Sequence, residues 1–345
     1  MVRSDWAADQ FARGSLTFVY VGSTDQHRTT LATAVGDRLF FAGEATDLTA
    51  PGTIDGAMAS GERAAAEVAR VALPGEKVTI VGAGAAGAAA ARMLGVYGFE
   101  VTVIDARDRV GGRIHTAISN SWPVPVEFGA LLLEPGAAAA AQLEALQVDV
   151  QPPGAAETRD ASGAVVGAVA SDFYGIDPSV DSVVTGSLVD LVTDALGDTS
   201  VFLSTTVAGV HYDDDSVSLR LGSGESLTAD RVVMTVPLGV LKSNAIEFAP
   251  ALPNDHLAAI EALGVAVIDT VWLRFDEKFW TTDATAWRLD GTSDDLTTWL
   301  NLEPLTGEPI LVALVSGDAA ARVAALDDNA VVAAAMAALT PFAAH

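Results

Sequence analysis

An α/β fold with a parallel sheet is predicted by three features of the chain. The first is the stretch Lys77–Thr116: an apolar strand (Lys77–Val81), the turn Gly82-Ala83-Gly84-Ala85-Ala86-Gly87, an Ala-rich helix, and a strand (Glu100–Ile104) ending in Asp105. The second is an apolar strand at Arg38–Glu44, followed by a Pro51-Gly52-Thr53 turn and a helix from Thr53 to about Val71. The third is a series of short alternating segments from Val201 to Val236, closed by Pro237.

Each part of the first stretch has its own physical reason. Gly82 lets the chain turn sharply off the strand, Gly84 leaves room for a pyrophosphate to approach the backbone, and Gly87 lets the helix lie close to the sheet. The helix N-terminus directs unpaired N–H groups and the positive end of its dipole at phosphate. Asp105 falls where a carboxylate accepts from ribose hydroxyls. The order strand, glycine turn, helix, strand, acid therefore predicts a dinucleotide site. Strand 38–42, helix 53–71 and strand 77–81 need only a short return between them, so residues 1–73 are expected to share the same sheet.

Bulk properties exclude several function classes. The 345 residues carry a net charge of −26 and only three lysines, Lys77, Lys242 and Lys278. Such a surface repels phosphate backbones and anionic lipids, so no nucleic-acid or membrane partner is expected. The chain has no cysteine, which excludes disulfides, thiolate metal sites and a cysteinyl cofactor link. Its five histidines are scattered, none at a metal-ligand spacing, so no metal site is expected. The N-terminal residues lack an apolar signal core, and a cytoplasmic location is expected.

The remaining chain reads in order. Residues 1–30 form a loop and a short strand. Glu127–Ala130 is a strand end, 136–148 a helix, and 150–182 the least patterned region. Residues 186–196 form a helix, Asp213–Asp215 a hairpin turn, and 253–263 a helix. Strands are expected over 265–275, 287–289, 297–302 and 310–315, and one helix over 319–339. Trp272, Trp280, Trp287 and Trp299 read as core, Lys242 and His211 as surface, and Phe173 and Tyr174 as candidates to line a pocket.

Taken together, these pieces resemble the flavin-containing amine oxidase family, which includes monoamine and polyamine oxidases, L-amino-acid oxidases and flavin-type histone demethylases. The resemblance rests on Val78–Thr116 with Gly111-Gly112-Arg113, on Trp6–Ser15, on Phe40–Ala66 with Phe-Ala-Gly-Glu before Pro-Gly-Thr-x-x-Gly-Ala, on Val126–Ala130, on Val232–Lys242 and on Phe275–Trp280. It implies a Rossmann-like FAD-binding domain of the glutathione-reductase-like, amine oxidase type, with a reduced α+β substrate domain. The expected division is 33–130 with 200–245 for FAD, and 1–32 with 131–199 and 246–345 for substrate.

The resemblance also implies roles. Gly82, Gly84, Ala86 and Gly87 would cradle the pyrophosphate. Asp105, with Ala106 beside it, would hold the adenosine ribose. Arg107, Gly112 and Arg113 would sit beside the phosphates and ribityl chain, and Val207 would meet the adenine edge. Gly43 and Glu44 would reach the ribityl–phosphate region, and Thr53 and Ile54 would aim N–H groups at flavin N1 and O2, where reduction places negative charge. The alternative for Glu44 and Thr53 is an ordinary turn and helix cap. The implied activity is FAD-dependent oxidation of a carbon–nitrogen bond, by hydride transfer to flavin N5 with oxygen as acceptor, on a small-molecule amine or other apolar substrate. A desaturase or dehydrogenase of the same fold, and a catalytically silent flavin-binding fragment of a tandem protein, stay open as alternatives.

Three departures from the family pattern stand out. Phe-Ala-Gly-Glu precedes the glycine turn here, whereas in the family it closes the chain. A helical block between Ala130 and Thr185 is reduced, and Ser187 replaces the second glycine of the family's Thr-Gly-Gly. The catalytic position is unassigned: the family lysine falls on Thr270, and the aromatic pair that flanks the amine falls on Leu16 and on Ala50 or Thr53. The swapped order fits either a circular permutant or a window across the junction of two tandem units. Sequencing the flanking DNA separates them, since a window requires a glycine turn upstream and a second Phe-Ala-Gly-Glu downstream, and a permutant requires neither.

Overall fold

The computed structural model describes residues 1–167 and 177–343; Phe173 and Tyr174 lie outside the described residues. The chain separates into two compact units, one made of residues 7–114 with 189–265, the other of 1–6, 115–188 and 266 onward.

The first unit holds a five-stranded sheet of β1 (Leu39–Phe41), β2 (Lys77–Val81), β3 (Glu100–Ile104), β4 (Ser200–Phe202) and β5 (Arg231–Met234). Its order is β4-β3-β2-β5-β1, and all neighbours are parallel. Strands covered on both faces need continuous apolar runs; accordingly Leu39, Phe40, Val78, Ile80, Val232 and Val233 are all buried. The sheet takes β1 as its edge strand beside β5, so the strand expected at 38–42 and the glycine turn share one sheet, whereas residues 1–6 belong to the other unit, where Val2–Arg3 pairs with Val271 and Trp272.

Among the described residues six α-helices belong to the same unit: α1 (Asp25–Ala32), α2 (Ile54–Val71), α3 (Ala85–Val96), α4 (Asp190–Leu196), α5 (Leu238–Lys242) and α6 (Asn254–Ala262), the last where a helix was expected over 253–263. Gly61 brings α2 against α3 backbone to backbone, because a Cβ there would fall 2.1 Å from the Ala86 carbonyl oxygen. A four-stranded sheet of Val207–Tyr212, Val217–Leu221, Ser226–Ala229 and Glu247–Ala249 completes the unit. Asp213 accepts from the N–H groups of Asp215 and Ser216 at 2.9 Å each, which makes the expected hairpin turn.

The second unit is built on a seven-stranded sheet. Its long strands are Ile268–Arg274, Ile310–Ser316, Thr298–Asn301 and Ala286–Asp290, joined antiparallel, with Ala156–Asp160 added parallel to the last. Trp272, Trp287 and Trp299 are fully buried, and Trp280 nearly so, as their placement on strands suggested. Among the described residues, no helix is long and apolar enough to cross a membrane.

Several elements differ from the sequence expectation. Residues 25–32 form α1, where only loop and strand were expected. The helix expected over 319–339 is two helices, Gly317–Ala324 and Asp328–Leu339, because Asp327 caps the second by accepting from the Ala330 N–H at 2.9 Å. Residues 150–167, read as unpatterned, contain three short strands that are stabilised by pairing and not by periodicity. The helix expected from residue 186 begins at Asp190. The compact units also divide the chain elsewhere than at the expected boundaries: residues 7–32, 189–199 and 246–265 go with the parallel sheet, and 115–130 with the other unit. Side-chain bonds explain this. Arg107 holds Asp9, Arg113 holds Ser15, and His256 bonds the Thr33 carbonyl.

In the second unit, burial pushes the Asp181 carboxyl up to about 6, with Glu134 and Asp177 adding repulsion against the N–H of Asp177 that favours its charge. The raised carboxyl binds a proton in the folded state that the unfolded chain has already released, so this group's contribution to stability is full below the ordinary aspartate range. It falls as pH rises to about 6. Asp181→Asn should flatten that dependence and raise stability at neutral pH by about 1 kcal/mol, measured by urea unfolding across pH 4–8.

Candidate dinucleotide site

The glycine turn between β2 and α3 forms the centre of the site. Gly82 has φ +115° and donates to the Ile104 carbonyl at 2.8 Å, so the turn needs a residue without Cβ. Gly87 is required for a different reason: a Cβ there would fall 1.9 Å from the Gly82 carbonyl oxygen. Gly84 differs from both. Its φ is −86°, and a Cβ would meet nothing closer than the Gly111 oxygen at 3.6 Å. The fold itself accepts a side chain at 84, so its absence leaves space in front of the α3 N-terminus for an approaching group. Ala86 is buried in the first turn of α3, against α2.

Asp105 closes the turn from behind. Its Oδ2 accepts from the Ala83 N–H at 2.7 Å and its Oδ1 from the Arg107 N–H at 2.8 Å, across Ala106. Each carboxylate oxygen keeps further acceptor capacity for a hydroxyl. The carbonyls of Asp105 and Arg107 accept from Thr205 and Ser204, laying the segment that leads into Val207 alongside. Val207 is buried in that strand.

Gly111 and Gly112 then return to the turn. Gly111 donates to the Ala83 carbonyl at 2.8 Å, and a Cβ on Gly112 would lie 3.5 Å from the Gly84 Cα. Arg113 follows, with its Nη1 donating to the Ser15 carbonyl at 2.9 Å and to Glu44 Oε1 at 2.8 Å. The other Glu44 oxygen, Oε2, accepts from the Thr17 hydroxyl at 2.6 Å and the Gly52 N–H at 3.0 Å. Glu44 is 4 % exposed. Gly43, at φ +127°, donates to Ser60 Oγ at 2.8 Å on α2.

Thr53 is the N-cap of α2. Its hydroxyl accepts from the Gly56 N–H at 3.0 Å and donates to the Ala50 carbonyl at 2.8 Å, while its own N–H points to that carbonyl at 3.4 Å. Ile54 is then the first helical N–H, one of those an α-helix leaves without an internal partner. A Cβ on Gly56 would fall 2.0 Å from the Ala50 oxygen, so the turn is pressed onto the helix. The sequence-predicted residues therefore meet on one unit: Gly84 touches Gly112, Arg113 holds Glu44, and Glu44 holds the turn before Thr53.

Two arginines of the predicted set have carboxylate partners in the fold. The Arg107 guanidinium makes two bonds to Asp9, at 2.7 and 3.0 Å, and lies over the Phe11 ring at 5.6 Å. Arg113 is bound to Glu44 and Ser15, so it braces the segment beside the site. Sequence reasoning missed Arg28, which is 1 % exposed and donates from Nη1 to the Thr17 hydroxyl at 2.8 Å and to the Ala45 carbonyl at 3.2 Å. One signal could have found it: Thr24 precedes α1, and its N–H donates to His27 Nδ1 at 3.0 Å, as half of a reciprocal helix cap.

The positions of expected chemistry can also be located. In the second unit, Thr270 is buried, its hydroxyl donates to the Phe128 carbonyl at 3.3 Å, and its N–H to Ser4 Oγ at 2.9 Å. In the first unit, Leu16 lies against Gly52, near Ala50.

A parallel sheet with a glycine turn at a helix N-terminus, backed by an acid on the next strand, defines a Rossmann-like dinucleotide-binding protein. Comparison with known proteins agrees. The NAD(P)-binding Rossmann-like domain model matches residues 80–150, and the model for flavin containing amine oxidoreductases matches 1–69 and 174–344. The chain belongs to the flavin-containing amine oxidoreductase family. It is 35% identical over 132 residues to polyamine oxidase 5 of Oryza sativa subsp. japonica, covering 38% of this chain and 27% of that protein. It is 24% identical over 331 residues to lysine-specific histone demethylase 1 homolog 3 of the same plant, covering 70% of this chain and 41% of that protein. The chain thus spans roughly a quarter of the first of these relatives and less than half of the second. Among solved structures it resembles a putrescine oxidase variant with redesigned cofactor binding, at TM-score 0.62 and 20% identity, over 78% of this chain and 82% of that one. Cyclohexylamine oxidase from Brevibacterium oxydans IH-35A is similar at TM-score 0.60 and 19% identity, over 76% and 80%.

The contrast among the glycines gives a direct test. Gly87→Ala should destabilise the apoprotein by about 1–3 kcal/mol through forced backbone displacement. Gly84→Ala should cost no more than about 1 kcal/mol, as a change of helix cap. Gly84→Val should give a folded but colourless protein, checked by unfolding curves alongside the visible spectrum after purification.

Proposed function

We propose that the first unit binds FAD non-covalently and that the chain acts as an amine-oxidase-type oxidoreductase on a small-molecule amine in the cytoplasm. The observation that supports this best is the unbroken contact from Gly84 through Gly112, Arg113 and Glu44 to the turn before Thr53. It joins a pyrophosphate cradle to a second helix N-terminus, and the two ends of a long dinucleotide need both. The residues fit the group: Gly84 is bare where the fold does not require it, and the absence of cysteine suits a non-covalent cofactor.

When bound, flavin supplies the hydride acceptor for carbon–nitrogen oxidation and passes electrons to oxygen. The protein's part is positioning and electrostatics. The α3 N-terminus and the Gly84 backbone would take the pyrophosphate, Asp105 would accept from the ribose, and Val207 would border the adenine. Arg113 holds Glu44, which with Gly43 would border the ribityl region. Ile54, at the α2 N-terminus, would direct its N–H at the flavin edge, where a helix dipole favours negative charge.

The Thr270, Leu16 and Ala50 side chains favour a second reading. A threonine whose hydroxyl is committed to Phe128 does not replace the family's lysine, which holds a water near flavin N5, and leucine and alanine do not form an aromatic cage for an amine. A dehydrogenase or desaturase acting on another apolar substrate then uses the same flavin unit. The purified protein should be yellow. Strong peroxide production from an amine panel would favour the oxidase; flavin reduction without peroxide, by a non-amine substrate, would favour the second reading. Thr270→Lys should raise the rate of flavin reoxidation, followed by stopped-flow absorbance; an unchanged rate would remove Thr270 from the site.

A further inference from the structure

Arg28 does not belong to the nucleotide cradle, yet its surroundings tie it to that cradle. It sits on α1 at 1 % exposure, and its Nε has no hydrogen-bond partner. An arginine kept for stability alone is poorly served by this arrangement, since a buried guanidinium with an unmade bond is costlier than an apolar residue of similar volume. Burial also pulls its pKa below the usual guanidinium range, against the carboxylates of Glu44, Asp25 and Asp47, which favour its charge.

The direction of the bonds shows what the cation does. Arginine only donates, so the Thr17 hydroxyl accepts from Arg28 Nη1 at 2.8 Å and must turn its proton to Glu44 Oε2 at 2.6 Å. On the other side of Glu44, Arg113 donates to Oε1. The carboxylate is thus gripped from two sides, and the oxygen held by Thr17 is the one that accepts from the Gly52 N–H at 3.0 Å. Arg28 also holds the Ala45 carbonyl, one residue past Glu44.

We propose that Arg28 is a positioning residue for the nucleotide: acting through the Thr17 hydroxyl, it sets the Glu44 carboxylate and, with it, the Gly52–Thr53 turn that opens α2 toward the flavin. This rests on the FAD reading above. The role assigned to Arg28 and Thr17 runs through Glu44.

The test uses the full chain, stripped of flavin and titrated with FAD by fluorescence quenching, with thermal unfolding of the apoprotein in parallel. Thr17→Val removes the relay and leaves Arg28 buried; it should weaken FAD binding about tenfold, the size of one hydrogen bond to a charged group, while the apoprotein unfolds within a few degrees of wild type. Thr17→Ser restores the hydroxyl and should return affinity to within about twofold. In a Glu44→Gln background, Thr17→Val should add little further loss, because both changes act through one carboxylate. Arg28→Met should weaken FAD at least as much as Thr17→Val, but the relay variants carry the test if Arg28→Met fails to fold. The proposal is overturned if Thr17→Val binds FAD as wild type does, or if Thr17→Ser behaves like valine. Additive losses in the Glu44→Gln background would overturn it as well. Wild-type protein that takes up no FAD would overturn the FAD reading itself, and this inference with it; the two failures are therefore distinct.

Discussion

The Glu44 carboxylate is the constraint on which the site depends. It is almost fully buried, and a buried charge survives only when paired and hydrogen-bonded. Arg113, Thr17 and Gly52 satisfy it, and they come from three separate parts of the chain. Removing one partner of such a buried pair costs about 3–5 kcal/mol, because the other charge is left stranded. One side chain thus fastens the Gly-Gly-Arg return, the early β-segment and the turn before α2 into a single rim.

That rim explains why segments far apart in sequence behave as one site. The glycine turn, β3 and Asp105 form a local unit that any Rossmann-like chain makes from neighbouring residues. The helix α2 comes earlier in the chain, between β1 and β2, and packs on α3 through Gly61. Close helix contact sets the distance between the two helix N-termini, and the Arg113–Glu44 pair holds the loops at those termini in register. Neither contact depends on which piece comes first along the chain.

The arginines show how charge is divided in an acidic molecule. With few cations available, several are paired with carboxylates: Arg107 with Asp9, Arg113 with Glu44, Arg231 with Glu76. The Arg107–Asp9 pair and the bond from Arg113 to the Ser15 carbonyl tie residues 7–32 to the unit of the parallel sheet, apart from the expected substrate domain. The family resemblance sets Arg107 and Arg113 beside the phosphates and ribityl chain; their carboxylate partners, Asp9 and Glu44, are set by the tertiary structure.

From the sequence alone, the parallel α/β class, the glycine turn with its acid, the Phe-Ala-Gly-Glu segment and the helix starting at Thr53 were all legible, because each depends on local spacing or on periodicity. The helix α1 was not, since Asp25–Ala32 is mostly polar and buries only Arg28 and Leu31, leaving no apolar stripe to read. The strands within 150–167 were hidden for the related reason that pairing partners, not alternation, make them. Tertiary structure alone decided that Gly84 is bare without internal need, and that Arg28 reaches Glu44 through Thr17. Both are facts about which atoms lie across a gap, and nothing in the order of residues along a chain specifies the far side.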